Sequence, residues 1–437
     1  MISHLQIPGL ILYNKIKEYQ MAHVVPFKGI TFNTERSADI SGLVCPPYDV
    51  LSTREQDRYY SKNEHNIVRI ILGKDLPADN EKDNRYSRAA GYLSSWLEEG
   101  VLSEDKIPSM YIYQQQFIHK GKKYSRKGFF GLVRLDEKGE VKFHENTFQK
   151  PKEDRMKLLK AALANTEPVF MVYKGYPVSL PESEPVIRFT DDSDSSHSIW
   201  KVEDKAEIAD FCAEFEGRPV YIADGHHRFE TAQKYARELN IGPDSSDPRN
   251  FALVYFVEES DPGLLVLPTH RLLNISSEDI ELLKNTAKKY FLMVEIDSFE
   301  KITKAKGKVF GFCSRKENKL YMLKLRDTVA KNRTMKAKGR QDQADIETAI
   351  LHTLLLDDVL EKYKGEDTKD VIAYSHDDKE ALASVRSGAY SCAFLLNPST
   401  VSQIMETADA GSRMPQKSTF FYPKVLSGLV MRRFGSG

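Results

Sequence analysis

The sequence predicts a mixed α/β protein. Strand-like alternation and short apolar runs take turns with helical periodicity along almost the whole chain. The 437 residues, 41% of them hydrophobic, suffice for a sizeable core shared between about two or three domains. Lys+Arg and Asp+Glu both number 63, so bulk charge does not hold this chain to nucleic acid. No apolar run reaches the roughly 18 residues of a membrane-spanning helix, so no membrane partner is expected.

The first twenty residues include Ile7, Leu10, Ile11, Leu12 and Tyr13 but lack a basic leader and a small-residue cleavage site. Residues 1–23 therefore read as an N-terminal extension. Cys45, Cys212, Cys313 and Cys392 show no CxxC spacing, which speaks against a zinc site or a redox dithiol. Buried structural thiols in a reduced, cytoplasmic protein are expected.

Pro46 and Pro47 force an extended turn before Tyr48 and Asp49, a rigid turn or the wall of a pocket. Asn66 to Leu72 reads as a buried strand ending at Gly73. Residues 84–98 read as a helix with Tyr92, Leu93 and Trp96 on one side. Met110–Ile118 and Lys127–Leu135 alternate around Gly121, the pattern of a hairpin. Pro151 opens a helix with Met156, Leu159 and Leu163 as its apolar stripe, and Glu153 and Asp154 suit its positive end. Residues 181–198, rich in Pro, Ser and Asp, read as a loop. A strand over 218–223 precedes a helix marked by Phe229, Ala232, Ala236 and Leu239. Further strands are expected at 251–257 and 264–267.

Composition shifts near residue 276, where a C-terminal α/β region begins. It reads as a helix over 278–290 and strands over 309–313 and 319–325. Seven basic residues in 324–340 read as a solvated loop. A helix carries Ile346, Ile350, Leu354 and Leu355, and a strand over 393–396 stops at Asn397-Pro398.

The sharpest chemical feature is Tyr221-Ile222-Ala223-Asp224-Gly225-His226-His227-Arg228-Phe229-Glu230-Thr231-Ala232. An apolar strand runs into a polar turn and then a helix. Gly225 allows a ligand close to the backbone. Helix-start amides and the helix dipole favour an anion. Arg228 offers a planar fork of donors for phosphate, and His226 and His227 can donate or move protons. Asp224 could orient a histidine, hold a metal ion or cap the helix. The blander reading makes Asp224 the N-cap and pairs Arg228 with Glu230 or a neighbour. The adjacent histidines cannot share a helix face as a zinc pair does.

Three other segments carry candidate groups. In His144-Glu145-Asn146-Thr147, Glu145 could take a proton from a substrate hydroxyl or stand as an exposed charge in a turn. Pro268-Thr269-His270-Arg271 repeats the order of apolar strand, then His-Arg; His270 and Arg271 are candidate substrate contacts, with a structural salt bridge as the alternative. Gly411-Ser412-Arg413-Met414-Pro415-Gln416-Lys417-Ser418-Thr419 concentrates Arg413, Lys417 and Ser418 without an acidic residue. It could close over phosphate, or it is a solvated basic loop; it lacks the GxxxxGK[ST] order of a P-loop.

Together with Val25-Pro26-Phe27-Lys28-Gly29-Ile30 and Pro46-Pro47-Tyr48-Asp49-Val50, these motifs resemble, in the same order, the domain-of-unknown-function family numbered 1015. The resemblance runs from about residue 24 to about residue 432. The Asp-Gly-His-His-Arg element is also similar to the nucleotide-binding turn of the ParB/sulfiredoxin superfamily, some members of which are free L-serine kinases. Sulfiredoxins need a cysteine where this chain has His226, and the helix-turn-helix of ParB proteins is not evident. The resemblance implies a ParB/sulfiredoxin-like nucleotide-binding core with insertions over 24–275 and large additional α/β segments over 276–437 that return to the active-site cleft. It implies a small-molecule kinase that moves a phosphoryl group from ATP or ADP to a hydroxyl, with free L-serine as acceptor. The nucleotide would be held by Gly225, His226, His227, Arg228, Thr231, Lys417 and Ser418, with Mg²⁺ at Asp224. Glu145, Asp224, His226 and His227 would be catalytic, and His270, Arg271 and Arg413 would bind the acceptor. A nucleotide sensor without turnover and a ParB-like DNA-binding or nuclease protein are the alternatives. A second copy of the chain is a candidate partner.

Overall fold

The computed structural model describes residues 23–36, 39–135, 139–147, 149–317, 319–363 and 371–435. The expected N-terminal extension lies outside them up to residue 22. The chain divides into two compact units. The first lies within Met1–Lys142, Phe148–Leu264 and Pro423–Gly437, the second within Phe143–Thr147 and Leu265–Tyr422. The division falls at Leu264/Leu265 rather than near 275, because residues 265–267 pair with 420–422 and Glu145 bridges to Met414. Strand pairing, which composition does not report, sets the division.

In the first unit the strands are β1 (Val24–Val25), β2 (Ile30–Phe32), β3 (Leu102–Glu104), β4 (Met110–His119), β5 (Lys122–Arg134), β6 (Val141–Lys142), β7 (Ala164–Asn165), β8 (Val169–Tyr173), β9 (Ile187–Thr190), β10 (Ser196–Val202), β11 (Val220–Asp224) and β12 (Phe251–Glu258). Nine of them form one sheet in the order β6-β11-β8-β12-β5-β4-β10-β9, with β1 added to β5. The β6–β11 and β8–β12 pairs are parallel and the others antiparallel. The β4–β5 hairpin turns on Lys120-Gly121, with φ of 48° and 77°. Two left-handed residues give the twist that a two-residue hairpin needs. Central β12 is buried along its whole length, as its unbroken apolar run requires.

Among the described residues of this unit the α-helices are α1 (Thr53–Lys62), α2 (Val68–Ile71), α3 (Arg85–Glu98), α4 (Gln149–Ala162), α5 (Lys205–Glu214) and α6 (His226–Glu238). Three expectations are corrected here. The strand expected over 66–72 is instead helix α2. The Asn66 side chain accepts the Val68 amide and donates to the Gly42 and Val44 carbonyls, so it coils a β-branched run. The segment 181–198 is not a plain loop: β9 and β10 pair at the sheet edge, and Asp191 closes their turn on the Ser193 and Ser195 amides. On α4 the buried residues are Arg155, Met156, Leu158 and Leu159, while Leu163 lies past the helix end at φ 48° and is exposed.

The second unit contains β13 (Leu265–Leu267), β14 (His270–Leu273), β15 (Phe291–Ile296), β16 (Val309–Ser314), β17 (Leu320–Leu325), β18 (Ile372–Ser375), β19 (Cys392–Leu395) and β20 (Phe420–Tyr422). Six form an antiparallel sheet, β15-β17-β16-β19-β14-β18, and β13 pairs with β20. In the first unit, β21 (Arg432–Arg433) pairs with β7. The helices of the second unit are α7 (Ser277–Tyr290), α8 (Glu300–Thr303), α9 (Thr328–Ala337), α10 (Glu347–Leu351), α11 (Asp357–Leu360), α12 (Asp378–Arg386) and α13 (Val401–Asp409). A π-helical turn, His352–Leu356, joins α10 to α11. The basic stretch expected as a solvated loop contains α9. Asp327 caps it through the Ala330 amide, and Lys331 is buried with its ammonium 2.6 Å from the Ala344 carbonyl. No described helix is long and apolar enough to cross a membrane.

Candidate functional site

The first unit carries the strand-turn-helix element. Residues 220–223 of β11 are buried, and Asp224 emerges at the strand end. Gly225 then adopts φ 89°, ψ 25°, and α6 begins at His226. That left-handed conformation is costly for any residue with a Cβ. A Cβ on Gly225 would also lie 2.9 Å from Arg228 Nε, because the guanidinium folds back over the turn.

Asp224 is not the N-cap. Gly225 occupies that position, without a side-chain cap. The Asp224 carboxylate instead binds two cations: Oδ2 accepts from Arg228 Nη2 at 2.9 Å, and Oδ1 accepts from Lys424 Nζ. Arg228 Nη1 donates to the Pro168 carbonyl. Arg228 thus pairs with Asp224 rather than Glu230, and its fork is spent on protein acceptors. Burial alone would lower its pKa, but the Glu167, Asp224 and Asp49 carboxylates outweigh it and hold the group above its ordinary value.

Tyr48 and Asp49 therefore belong beside this turn. They form a short 3₁₀ turn, Tyr48–Val50, whose Tyr48 amide donates to Glu167 Oε1 at 3.3 Å. The Arg155 guanidinium stands 3.8 Å from the Tyr48 ring centroid, and its Nη1 donates to Glu167 Oε2 at 3.3 Å. Ser427 Oγ donates to Glu167 Oε1 at 2.9 Å. Burial pushes the Cys45 thiol well up, and Glu167 adds to that, so Cys45 stays protonated.

His226 is buried and His227 half-buried in the first turn of α6. Thr231 is buried one turn further on, with Oγ1 3.5 Å from the Lys152 carbonyl of α4. A salt bridge of 3.2 Å between Lys152 and Glu230 joins the same two helices. Among the described residues no group of three His, Cys, Asp or Glu could hold a metal ion. With both oxygens on cations, Asp224 does not fit a resident Mg²⁺, and no step is assigned to one.

The second unit gathers the other candidates. Glu145 Oε1 accepts the Lys417 amide at 3.0 Å, and the Glu145 carbonyl accepts from Arg413 Nη1 at 2.9 Å. Lys417 has φ 56°, which turns its amide towards Glu145. Arg413 lies over the Phe143 ring. Ser418 is buried, its hydroxyl on Thr348 and the Pro415 carbonyl. His270 and Arg271 do not sit in a turn after a strand: they are the first two residues of β14, both fully buried. His270 Nδ1 accepts the Leu396 amide at 3.1 Å, and burial pushes its pKa down to about 4. Arg271 donates to the Thr269 carbonyl, and its Nε is 3.5 Å from His352 Nε2. Burial lowers its pKa to about 10, while Tyr374 and Glu145 act the other way. Glu145, Arg271, Arg413 and Lys417 thus form one cluster.

Sequence reading missed Lys424, Glu167 and Arg155. Each is a charged residue in an unremarkable local pattern. The only hint was Glu167-Pro168 directly before the apolar strand 169–173.

Comparison with solved structures finds a conserved hypothetical protein from Pyrococcus furiosus, 16% identical, with a TM-score of 0.36 over 68% of this chain and 92% of that one. A free serine kinase in complex with AMP is 15% identical, with a TM-score of 0.38 over 67% and 86%. SbnI with a C-terminal truncation, from Staphylococcus aureus, is 10% identical, with a TM-score of 0.36 over 68% and 85%. Comparison with curated proteins finds no match. The pattern of the family described as "Protein of unknown function (DUF1015)" matches residues 24–349, most of the chain, and the protein belongs to that family.

Proposed function

We propose that this protein binds a nucleotide at the Asp224–Arg228 turn and transfers a phosphoryl group to the hydroxyl of a small metabolite, with free L-serine as the first acceptor to test. One observation supports the reading above the rest. Gly225, at φ 89°, turns a buried strand directly into a 13-residue helix. The first amides of such a helix have no intrahelical acceptor and meet a strand end, where phosphate is favoured. The amides of residues 226–228 and the His227 imidazole would contact the phosphate. Arg228 and Lys424 would act through Asp224, fixing the turn and adding positive charge.

Phosphoryl transfer needs positioning and charge neutralisation more than covalent help from the protein. The serine hydroxyl oxygen forms the new bond to phosphorus as the bond to the nucleotide leaving oxygen breaks. The hydroxyl proton passes to solvent. The test is incubation with Mg²⁺, ATP or ADP and L-serine, with phosphoserine read by mass. His227→Gln should lower product formation and AMP and ADP affinity by about tenfold. Product formed at the wild-type rate by that variant removes His227 from the site.

A second reading, a sensor that binds nucleotide without turnover, is favoured by the Asp224 carboxylate. Both of its oxygens are engaged by cations, so it is no base in this arrangement. Measurable ADP binding with no product from any nucleotide would select that reading.

A further inference from the structure

Arg126 is fully buried in β5, and its charge has no carboxylate partner within 4 Å among the described residues. Nη2 spends its hydrogens on two neutral acceptors, Gln115 Oε1 at 2.5 Å and the Pro423 carbonyl at 2.8 Å. Nε and Nη1 are buried without a hydrogen-bond partner. The Tyr255 hydroxyl is likewise buried without a hydrogen bond of ordinary geometry, and it lies close enough to the Arg126 guanidinium for that cation to counter part of the rise that burial gives its pKa. Asp261, whose charge acts alongside Arg126, is already engaged by the Gly263 amide at 2.8 Å and the Lys127 amide at 3.2 Å.

These groups share one face of the nine-stranded sheet. Asp224 pairs across the strands with Phe170, Phe170 with Tyr255, and Tyr255 with Phe130. Cross-strand partners project on the same side, and Arg126 precedes Phe130 by four residues along β5, an even interval that keeps the same side. The guanidinium lies 5.1 Å from the Phe170 ring centroid and 5.9 Å from that of Tyr255. Pro423 bonds Arg126, and the next residue, Lys424, bonds Asp224. The unsatisfied cation therefore faces the same side of the sheet as the turn described above.

Two aromatic faces and two neutral acceptors compensate part of the charge. They leave donors that would ordinarily be filled by water, a carboxylate or a phosphate. A guanidinium is shaped for such oxyanions. We propose that Arg126, with the Tyr255 hydroxyl beside it, is the receptor for a small oxyanion, the carboxylate or phosphoryl group of a ligand. The inference stands apart from the nucleotide reading.

The test uses the full chain, with L-serine and inorganic phosphate as separate probes, followed by titration calorimetry and thermal unfolding. At least one probe, at about 10 mM, should raise the melting temperature of the wild type, because a ligand that binds only the folded state stabilises it. L-serine alone would identify a carboxylate source, and phosphate alone a phosphoryl source. Arg126→Gln should lower affinity for that probe by about tenfold or more, and Tyr255→Phe by several-fold. Loss of AMP binding in Gly225→Ala bears on the nucleotide reading alone, and loss of probe affinity in Arg126→Gln bears on this one, so the two readings fail separately. The proposal is overturned if neither probe binds the wild type, or if Arg126→Gln keeps wild-type affinity. Should Arg126→Gln not fold, unchanged affinity in Tyr255→Phe overturns it.

Discussion

Arg228 Nη2 stands 2.9 Å from Asp224 Oδ2, four residues back and across the Gly225 turn, while Lys424 holds the other carboxylate oxygen. The pair clamps the point where strand becomes helix. Both side chains are mostly hidden, Arg228 at 13% and Asp224 at 17% exposure. Asp224→Asn keeps the shape but removes the charge, leaving two cations without their nearest anion. It should cost on the order of 3 kcal/mol, read by urea unfolding. A loss under roughly 0.5 kcal/mol would show that the backbone alone holds the turn.

Gly225→Ala imposes a Cβ on a left-handed residue and pushes it against the Arg228 guanidinium. Strain alone should cost roughly 1–2 kcal/mol. Displacing Arg228 should weaken AMP and ADP binding by about tenfold. Gly242→Ala is the control, since a Cβ there meets nothing within 4 Å and the residue is exposed. Equal effects of the two variants on nucleotide affinity would separate the turn from the nucleotide.

The elements with strong periodicity were legible in the sequence. The β4–β5 hairpin and helices α3, α6 and α7 lie close to where the pattern puts them. Elements set by a single side-chain bond were not. Asn66 coils a run that its composition marks as strand, and Asp191 pins an edge pair inside a Pro/Ser/Asp-rich stretch. The strand-Gly-helix turn was readable because Gly225 and the apolar run are local. Its partners were not: Lys424 meets Asp224 from 200 positions away, and Glu167 meets Tyr48 from 119. Likewise His270-Arg271 copied the local order of the first turn yet proved to open a buried strand, because β14 lies between β18 and β19 in the sheet.

Asn66 is fully buried, with its side chain on the Gly42 carbonyl at 2.8 Å, the Val44 carbonyl at 3.1 Å and the Val68 amide at 2.9 Å. Asn66→Ala strands those backbone groups and should cost about 2–4 kcal/mol in chemical unfolding. Amide exchange over residues 66–72 should quicken by more than the global change accounts for. Uniform exchange across the first unit would mean that α2 does not depend on this side chain.

His270 sets a pH window. It is fully buried and accepts the Leu396 amide at Nδ1, and burial brings its pKa from 6.5 down to about 4. The unfolded chain therefore binds a proton at a pH where the folded chain does not, so stability falls as pH drops below 6.5 and the loss is complete below about 4. Across that window this residue should remove on the order of 3 kcal/mol. His270→Gln can offer Leu396 a carbonyl oxygen but cannot titrate. The difference between wild type and variant in unfolding free energy should change between pH 7 and 4 and level off at either end. A difference that stays constant with pH would mean that His270 takes up its proton alike in the folded and unfolded chain, and that the buried, Leu396-bonded ring is not held neutral by the fold.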